Sequence, residues 1–518
     1  MAIIYKQGVE NLSERRIDAW HYQPKLQNQI DKIKQNIGAI FLNDVIDKSR
    51  GVASGATPLG ANYLKNGKVK FYRTSEVEGM FLDSEKAVYI SEDDDEKLAR
   101  SRLKAGDILL TITGAKFGKS AVVSDSHLPG NISQHSVRFH PKPELIDNYF
   151  LVAYLNSDIG QDVIWREAYG ATRPAIDFPS VRALTIPKVN LVTQKYIGDK
   201  VRQAELLREW AKDTVRKVDS FHLTLVPKQD HLSFDKKFRS VKSFQMTERL
   251  DAHFYPSVVE DYIFENNNNF RKLVDLTHSI FNGQTQSECL LGSDSSKQIT
   301  VANLSSNFLM GKPRIVEELA NTSKYAQLYD LLICNAAHNK SYIGKDITYV
   351  HSEDKLLPST EVMVIRVNRD ELPASYVRTY LNTKLGYIQI QSTVRGITAH
   401  SYPDDVKTLN IYIPKISDKQ KEEWFLQDLY LVKAGLSNEY ATKLVTVAKY
   451  LVEGLISGLI SEDQLIQAQN ALEQGDTSLD RAILSQMTED GYAVAGSKPL
   501  FSDLDEFYDL LEQAKALE

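Results

Sequence analysis

"RRIDAWHYQPK" at residues 15–25 is answered by "ERLDAHFYPSV" at 248–258: arginine, an apolar residue, aspartate, alanine, aromatics, proline. Three further pairs follow in the same order. "YLNSDIG" (154–160) matches "YLNTKLG" (380–386), "YGATRPAI" (169–176) matches "RGITAHSY" (395–402), and "LTIPKVNLVTQK" (184–195) matches "IYIPKISDKQK" (411–421). The offsets stay between 226 and 233 residues. Self-similarity in a fixed order is the mark of a tandem duplication, and it sets the architecture before any local reading does. The chain reads as two related globular units.

Each copy opens with an extended arm and passes into strand-like runs. In the first these are "KVKFYRTSEV" (68–77), "GDILLTI" (106–112), "SAVVSD" (120–125) and "SVRFHP" (136–141); in the second, "QITVANL" (298–304) and "TEVMVIRVN" (360–368). A helical run (146–168), a turn rich in Gly, Thr and Pro, and the "IPK" strand complete the first copy. Each copy closes on a longer helix. Ile197, Val201, Ala204, Leu207, Ala211, Val215 and Val218 recur at spacings of three and four in one; Leu429, Leu436, Tyr440, Leu444, Val447 and Leu451 do so in the other. Charges fill the intervals, as in a paired helical seam. A duplicated chain gives each helix a natural mate.

The expected fold class is therefore α/β (α+β): two pseudo-repeated globular α/β domains separated by long antiparallel coiled-coil-like helices, with an acidic helical C-terminal tail. The boundaries read as an N-terminal arm (1–35), first globular domain (36–190), central spacer helix (191–240), second arm (241–268), second globular domain (269–415), distal spacer helix (416–460) and acidic extension (461–518).

"TITGAKFGKS" (111–120) invites reading as a phosphate-cradling loop. That loop needs G-x-x-x-x-G-K-[ST] between a strand and a helix. Here Gly114 and Gly118 enclose three residues instead of four, and "SAVVSD" continues as a strand. In the second copy the same place reads "NAAHNKS" (335–341), which erases the motif. A nucleotide site is not expected.

The composition, 42% hydrophobic and 25% charged over 518 residues, is that of an ordinary soluble protein of two or more domains. The net charge of −6 is uneven. Residues 461–518 hold thirteen Asp/Glu and three Lys/Arg, a net of −10, which leaves +4 on the first 460. A mildly basic body suits contact with nucleic acid. Two cysteines outside any Cys/His cluster fit a reducing cytosol and no zinc site. The first residues lack the pattern of a signal peptide, and the longest apolar run, 450–461, is interrupted by Glu453.

"GVASGATPLGANYLKNGKVKFYRTSEVEG" (51–79), "LKAGDILLTITG" (103–114), "YGATRPAI" and "IPKVNLVTQKYI" (186–197) resemble the target recognition domains of type I restriction-modification specificity subunits. The resemblance covers roughly 15–460, and the second copy departs most, "NGQTQSECLLGSDSSKQITVANL" (282–304) lacking the Thr-Pro. It implies a non-catalytic, cytoplasmic subunit that binds double-stranded DNA, each domain reading half of a bipartite target. It also implies spacer helices that set the gap and dock two adenine-N6 methyltransferase subunits, with translocase-nuclease (restriction) subunits added in restriction complexes. No cofactor is implied for this chain; S-adenosylmethionine, and ATP with Mg, would belong to the partners. About 30 helical residues would span about 45 Å, roughly 13 base pairs.

Base edges are read by side chains that donate and accept together, and phosphates by Lys, Arg, hydroxyls and amides. The expected contacts in the first domain are Lys68, Lys70, Arg73 and Thr74 along a strand, Lys116 and Lys119 in the Gly-bounded loop, and Tyr169, Thr172 and Arg173 in the turn before "IPK". Their counterparts are Asn303, Asn335, His338, Asn339, Lys340, Arg395, Thr398 and His400. The arms, with Asp18 and Asp251, are expected to anchor each domain to the helical stem, and His21 and His253 are not expected to bind metal. The acidic tail is expected to dock a partner subunit or shield the DNA-binding surface. Two other readings stay open: a duplicated protein-interaction scaffold in a related phage-defence system, and a nucleotide-dependent DNA enzyme.

Overall fold

The computed structural model describes residues 8, 12, 16–58, 60, 62–170, 173–229, 246, 249–266, 269–289 and 295–516. The chain forms two compact units, 1–207 with 440–518, and 208–439.

In the first unit a four-stranded antiparallel sheet has the spatial order Ala53–Ser54, Ser136–Phe139, Ile108–Thr111, Ser120–Val122. The apolar run Ile108–Thr111 is buried at all four positions, as expected of a strand covered on both faces. A three-stranded sheet places Val69–Tyr72 between Val88–Ile90, antiparallel, and Gly130–Ile132, parallel. Ala39–Phe41 pairs antiparallel with the "IPK" strand, Thr185–Pro187.

The second unit repeats every one of these pairings. Its four-stranded order is Thr277–Asn282, Val362–Val367, Leu331–Cys334, Ile347–Tyr349. Its three-stranded sheet places Ser295–Ile299 between Arg314–Glu317, antiparallel, and Leu356–Pro358, parallel. Phe270–Lys272 pairs with Asn410–Tyr412. The duplication read from four short motifs is thus carried through these three sheets of each unit.

Those motifs recur because they fix local geometry. In "YLNSDIG" the Ser157 hydroxyl donates to the Tyr154 carbonyl at 2.7 Å and accepts the Gly160 N–H at 3.1 Å, ending helix Asn148–Asn156 and starting Asp158–Arg166. Thr383 does the same with Tyr380 and Gly386 at 2.7 and 3.1 Å. The arms also recur in geometry: Tyr262 of the second donates to Pro227 O just past a long helix at 2.7 Å, and in both an arginine reaches the end of a short helix. Arg16, held by Asp18 at 2.6 Å, donates to the carbonyls of Glu167 and Ala168 just past the second short helix. Arg249, held by Asp251, donates to Thr393 O at 2.9 Å. A guanidinium fork matches the orphan carbonyls of a helix C-terminus.

The long helices are Leu191–Leu225 and Asp418–Ser457. Each unit holds one half of each, 191–207 with 440–457 and 208–225 with 418–439. All seven apolar positions expected in the first helix are buried. In the second, Tyr440, Leu444, Val447 and Leu451 are buried but Leu429 is exposed and Leu436 only partly covered. The buried stripe there runs instead through Trp424, Asp428, Leu431, Ala434 and Ser437. A buried carboxylate and small residues hid it from an apolar count. Asp428 accepts the Ser375 N–H at 2.8 Å and the Arg369 guanidinium at 2.8 Å.

His222, on the second-unit half of the first long helix, is fully buried against Tyr376, with Nε2 3.0 Å from Ser375 Oγ. Burial, then the positive field of Arg378, push its pKa down to about 3. The unfolded chain takes up that proton near pH 6.5. The unit therefore loses stability as pH falls from about 6.5 towards 3, because the unfolded state binds the extra proton. Thermal melts of His222→Gln are expected to fall less steeply with acid across that range than those of the native chain.

The tail is part of the first unit. Helices Glu462–Glu473, Ser478–Ser485 and Leu504–Lys515 and a short hairpin, Met487–Thr488 with Gly491–Tyr492, make up its regular structure. Phe501 stacks on Tyr440 of the long helix, and Phe507 packs on both. Beneath them Asp480, 1% exposed, accepts from Lys200 Nζ at 2.6 Å and from the hydroxyls of Tyr196 and Tyr508 at 2.5 Å.

Among the described residues no helix is long and apolar enough to cross a membrane, and no group of three or more His, Cys, Asp or Glu is placed to hold a metal.

Candidate nucleic-acid interface

In each unit three short segments converge beside the four-stranded sheet. They are the connection after its buried strand, a hairpin after the second short helix, and the turn joining the two sheets. In the first unit Thr113 bridges Ala175, Ile176 N–H donates to Ile112 O at 3.2 Å, and Ile112 N–H donates to His135 O at 2.9 Å. In the second, Ala336 and Ala337 pair with His400 and Ala399, Ser401 N–H donates to Asn335 O at 2.8 Å, and Asn335 N–H donates to Glu361 O at 3.0 Å. The hairpins close alike, Tyr169 on Ala175 and Arg395 on His400.

"GAKFGKS" is the connection between antiparallel strands Ile108–Thr111 and Ser120–Val122. Gly114 and Gly118 take φ of +93° and +79°, a region that suits glycine. The amides of Phe117, Gly118 and Lys119 all donate inward, to Gly114 O, Thr111 O and Thr111 Oγ1. These three amides are satisfied within the loop and are not free to cradle an anion. Lys116 also turns inward, its ammonium donating to Ser75 O at 2.7 Å. Lys119 is half-buried, close enough to Lys449 to lower that lysine's pKa after burial has done so.

The strand residues are held by neighbours of their own. Lys68 pairs with Glu92 at 2.7 Å on the surface, Lys70 donates to Ser126 O at 2.6 Å, and Arg73 is clasped by buried Glu76 at 2.7 Å, next to half-buried Thr74. Tyr169 and Arg173 are exposed on the hairpin; Thr172 lies outside the described residues.

The structure corrects two positions in the second unit. Asn303 is buried, accepting from Thr300 and donating to Met310 O at 3.0 Å, so it braces a turn instead of facing a ligand. Asn335 is buried too, donating to Thr360 O at 3.2 Å. Asn303 closes a capping box with Thr300 around a short turn, and Asn335 ties its strand end to Thr360, roles that asparagine meets as readily as it reads a base. The remaining residues do come together. His338, Asn339, Lys340 and Arg395 line an open cleft of about 570 Å³ with Gly396 and fully exposed Ile397. Arg395 lies over the Tyr402 ring and 3.0 Å from Asp405. Thr398 is exposed at the hairpin tip, and His400 stacks on Tyr402.

Sequence reasoning missed the turn between the sheets, where Gln134 and His135 are exposed. Thr57 Oγ1 donates to Gln134 Oε1, and Thr113 Oγ1 lies 2.8 Å from His135 Nδ1. In the second unit Thr285 bonds Thr360 at 3.1 Å, and Thr360 and Glu361 are exposed. The signal was present as Gly55-x-Thr57 and Gly283-x-Thr285, offset by 228 residues. The second copy lacks the proline of "Thr-Pro" but keeps its threonine.

Residues 36–208 match the family model of the type I restriction modification DNA specificity domain. That matched stretch lies almost wholly in the first unit. The chain is 24% identical over 196 residues to the type I restriction enzyme EcoBI specificity subunit of Escherichia coli, covering 38% of this chain and 40% of that one. It is 26% identical over 186 residues to the MjaVIII specificity subunit of Methanocaldococcus jannaschii, covering 35% and 43%. The matches thus span about two fifths of those relatives. The S subunit of a type I system from M. genitalium aligns over 84% of this chain and 96% of its own, with 13% identity and a TM-score of 0.39. The three converging segments of the first unit all fall inside the matched residues, and the second unit builds the same convergence on the same strand order.

Proposed function

We propose that this chain is the non-catalytic DNA-recognition subunit of a type I or type I-like restriction-modification complex, its two units reading the halves of a split, asymmetric target. One observation carries the reading: two units with one β framework present different polar side chains from the same three segments. A single ligand would favour like residues in both; two different half-sites call for unlike ones on one scaffold. The long helices would set the gap and dock adenine-N6 methyltransferase subunits that bring S-adenosylmethionine. Translocase-nuclease subunits, where present, would bring ATP and Mg. The work would be done in the cytoplasm.

The test is a map of methylated adenines in cells with and without this chain, its partner genes kept. Methylation at one split motif of fixed gap, lost with the chain, is the expected result. Binding of the assembled complex to that motif should weaken steeply with salt, since phosphate contacts release counterions as they form. Methylation that ignores the chain, or binding indifferent to sequence, would end the proposal.

A further inference from the structure

Resting on that reading, we infer that the turns 133–136 and 359–362 are base-reading elements, Gln134 in one half-site and Glu361 in the other contacting a base that bears an exocyclic amino group. The two turns share one backbone. Ser133 N–H donates to Tyr72 O at 3.1 Å and Ser136 N–H to Ser133 O at 3.2 Å. Ser359 N–H donates to Ile299 O at 2.7 Å and Val362 N–H to Ser359 O at 3.0 Å. On this common frame the two middle residues are exposed and unlike, Gln-His in one unit and Thr-Glu in the other.

The surroundings prepare each for a specific edge. The Thr57 hydroxyl occupies one lone pair of Gln134 Oε1, which fixes the amide; among the described residues its second lone pair and both N–H groups stay available. A fixed amide is the group that pairs bidentately with adenine N6 and N7. Glu361, whose carbonyl accepts the Asn335 N–H at the start of the second connection, would repel a phosphate, so it suits a donor such as the cytosine N4 amino group. A second feature recurs at the same spot. The hydroxyls of Ser133 and Ser359, which open the two turns, are both buried and unpaired among the described residues.

The test uses the full chain assembled with its methyltransferase partners and a pool of duplexes randomised across the site. Gln134→Glu is expected to relax or change one base in the first half-site and Glu361→Gln one base in the second. Each should shift preference about 5- to 150-fold, the spread of one bidentate contact, with melting temperature and the other half-site unchanged. Unchanged motifs in both variants would overturn the inference and leave the proposed function standing. So would a uniform loss of binding at every sequence, since an exposed base reader acts at one position. A native complex without any split motif would instead refute the function itself.

Discussion

Asp480→Ala is expected to lower the stability of the first unit by about 3–5 kcal/mol, the cost of leaving one partner of a buried ion pair alone. Lys200 and Asp480 are each 1% exposed and 2.6 Å apart. The same carboxylate accepts from Tyr196 and Tyr508, so its loss strands an ammonium and two hydroxyls together. The melting temperature should fall by on the order of 10 °C, with limited proteolysis opening residues 461–516 first. Removing both charges, Lys200→Met with Asp480→Leu, should recover much of that loss, because apolar residues of similar volume often replace a buried pair at little cost. If the double variant is no better than Asp480→Ala, the pair is not what holds the tail. The pH sign agrees with this account. Burial raises the Asp480 pKa, but Lys200 and the hydroxyls outweigh it and hold the group below its ordinary value. The stabilisation is present above about pH 4, the unfolded value, and is lost as pH falls through the folded one.

The second large effect is expected at Gly55. A Cβ there would lie 1.6 Å from the Ile132 carbonyl oxygen, and at Gly283 2.1 Å from that of Pro358. Both obstacles are strand-end backbone, which cannot rotate away as a side chain can. Gly55→Ala should cost about 4 kcal/mol or more, in the exceptional range reserved for such clashes, and Gly283→Ala should do the same in the second unit. Gly114→Ala is the control. It has open space around its Cβ but φ of +93°, so only backbone strain of about 1–2 kcal/mol is expected. Melting curves of the three variants would check this; equal losses at 55 and 114 would mean that backbone conformation, not contact, is what glycine supplies.

These expectations separate what could be read along the chain from what could not. The motif "YLNSDIG" with its echo carries its own reason, a hydroxyl cap and a glycine with no room for a side chain. Local geometry of that kind repeats whenever the sequence does. "GAKFGKS" could be cleared of nucleotide binding because a spacing one residue short and a following strand are both linear features. Asn303 and Asn335 could not be sorted from Asn339. The same amide caps a strand end or faces outward, and only burial tells which.

The sequence by itself determined the doubling, the strand-rich units, the long helices and the position of the acidic tail, because each is a matter of order and periodicity. Only the tertiary structure decided which polar residues face outward, that Lys116 is a strut, that the tail is bolted to the long helix through Asp480, and that Gln134 and Glu361 occupy equivalent turns. Those outcomes depend on groups brought together from distant parts of the chain. Hydrogen bonds and burial form across such distances, and neither leaves a period in the sequence.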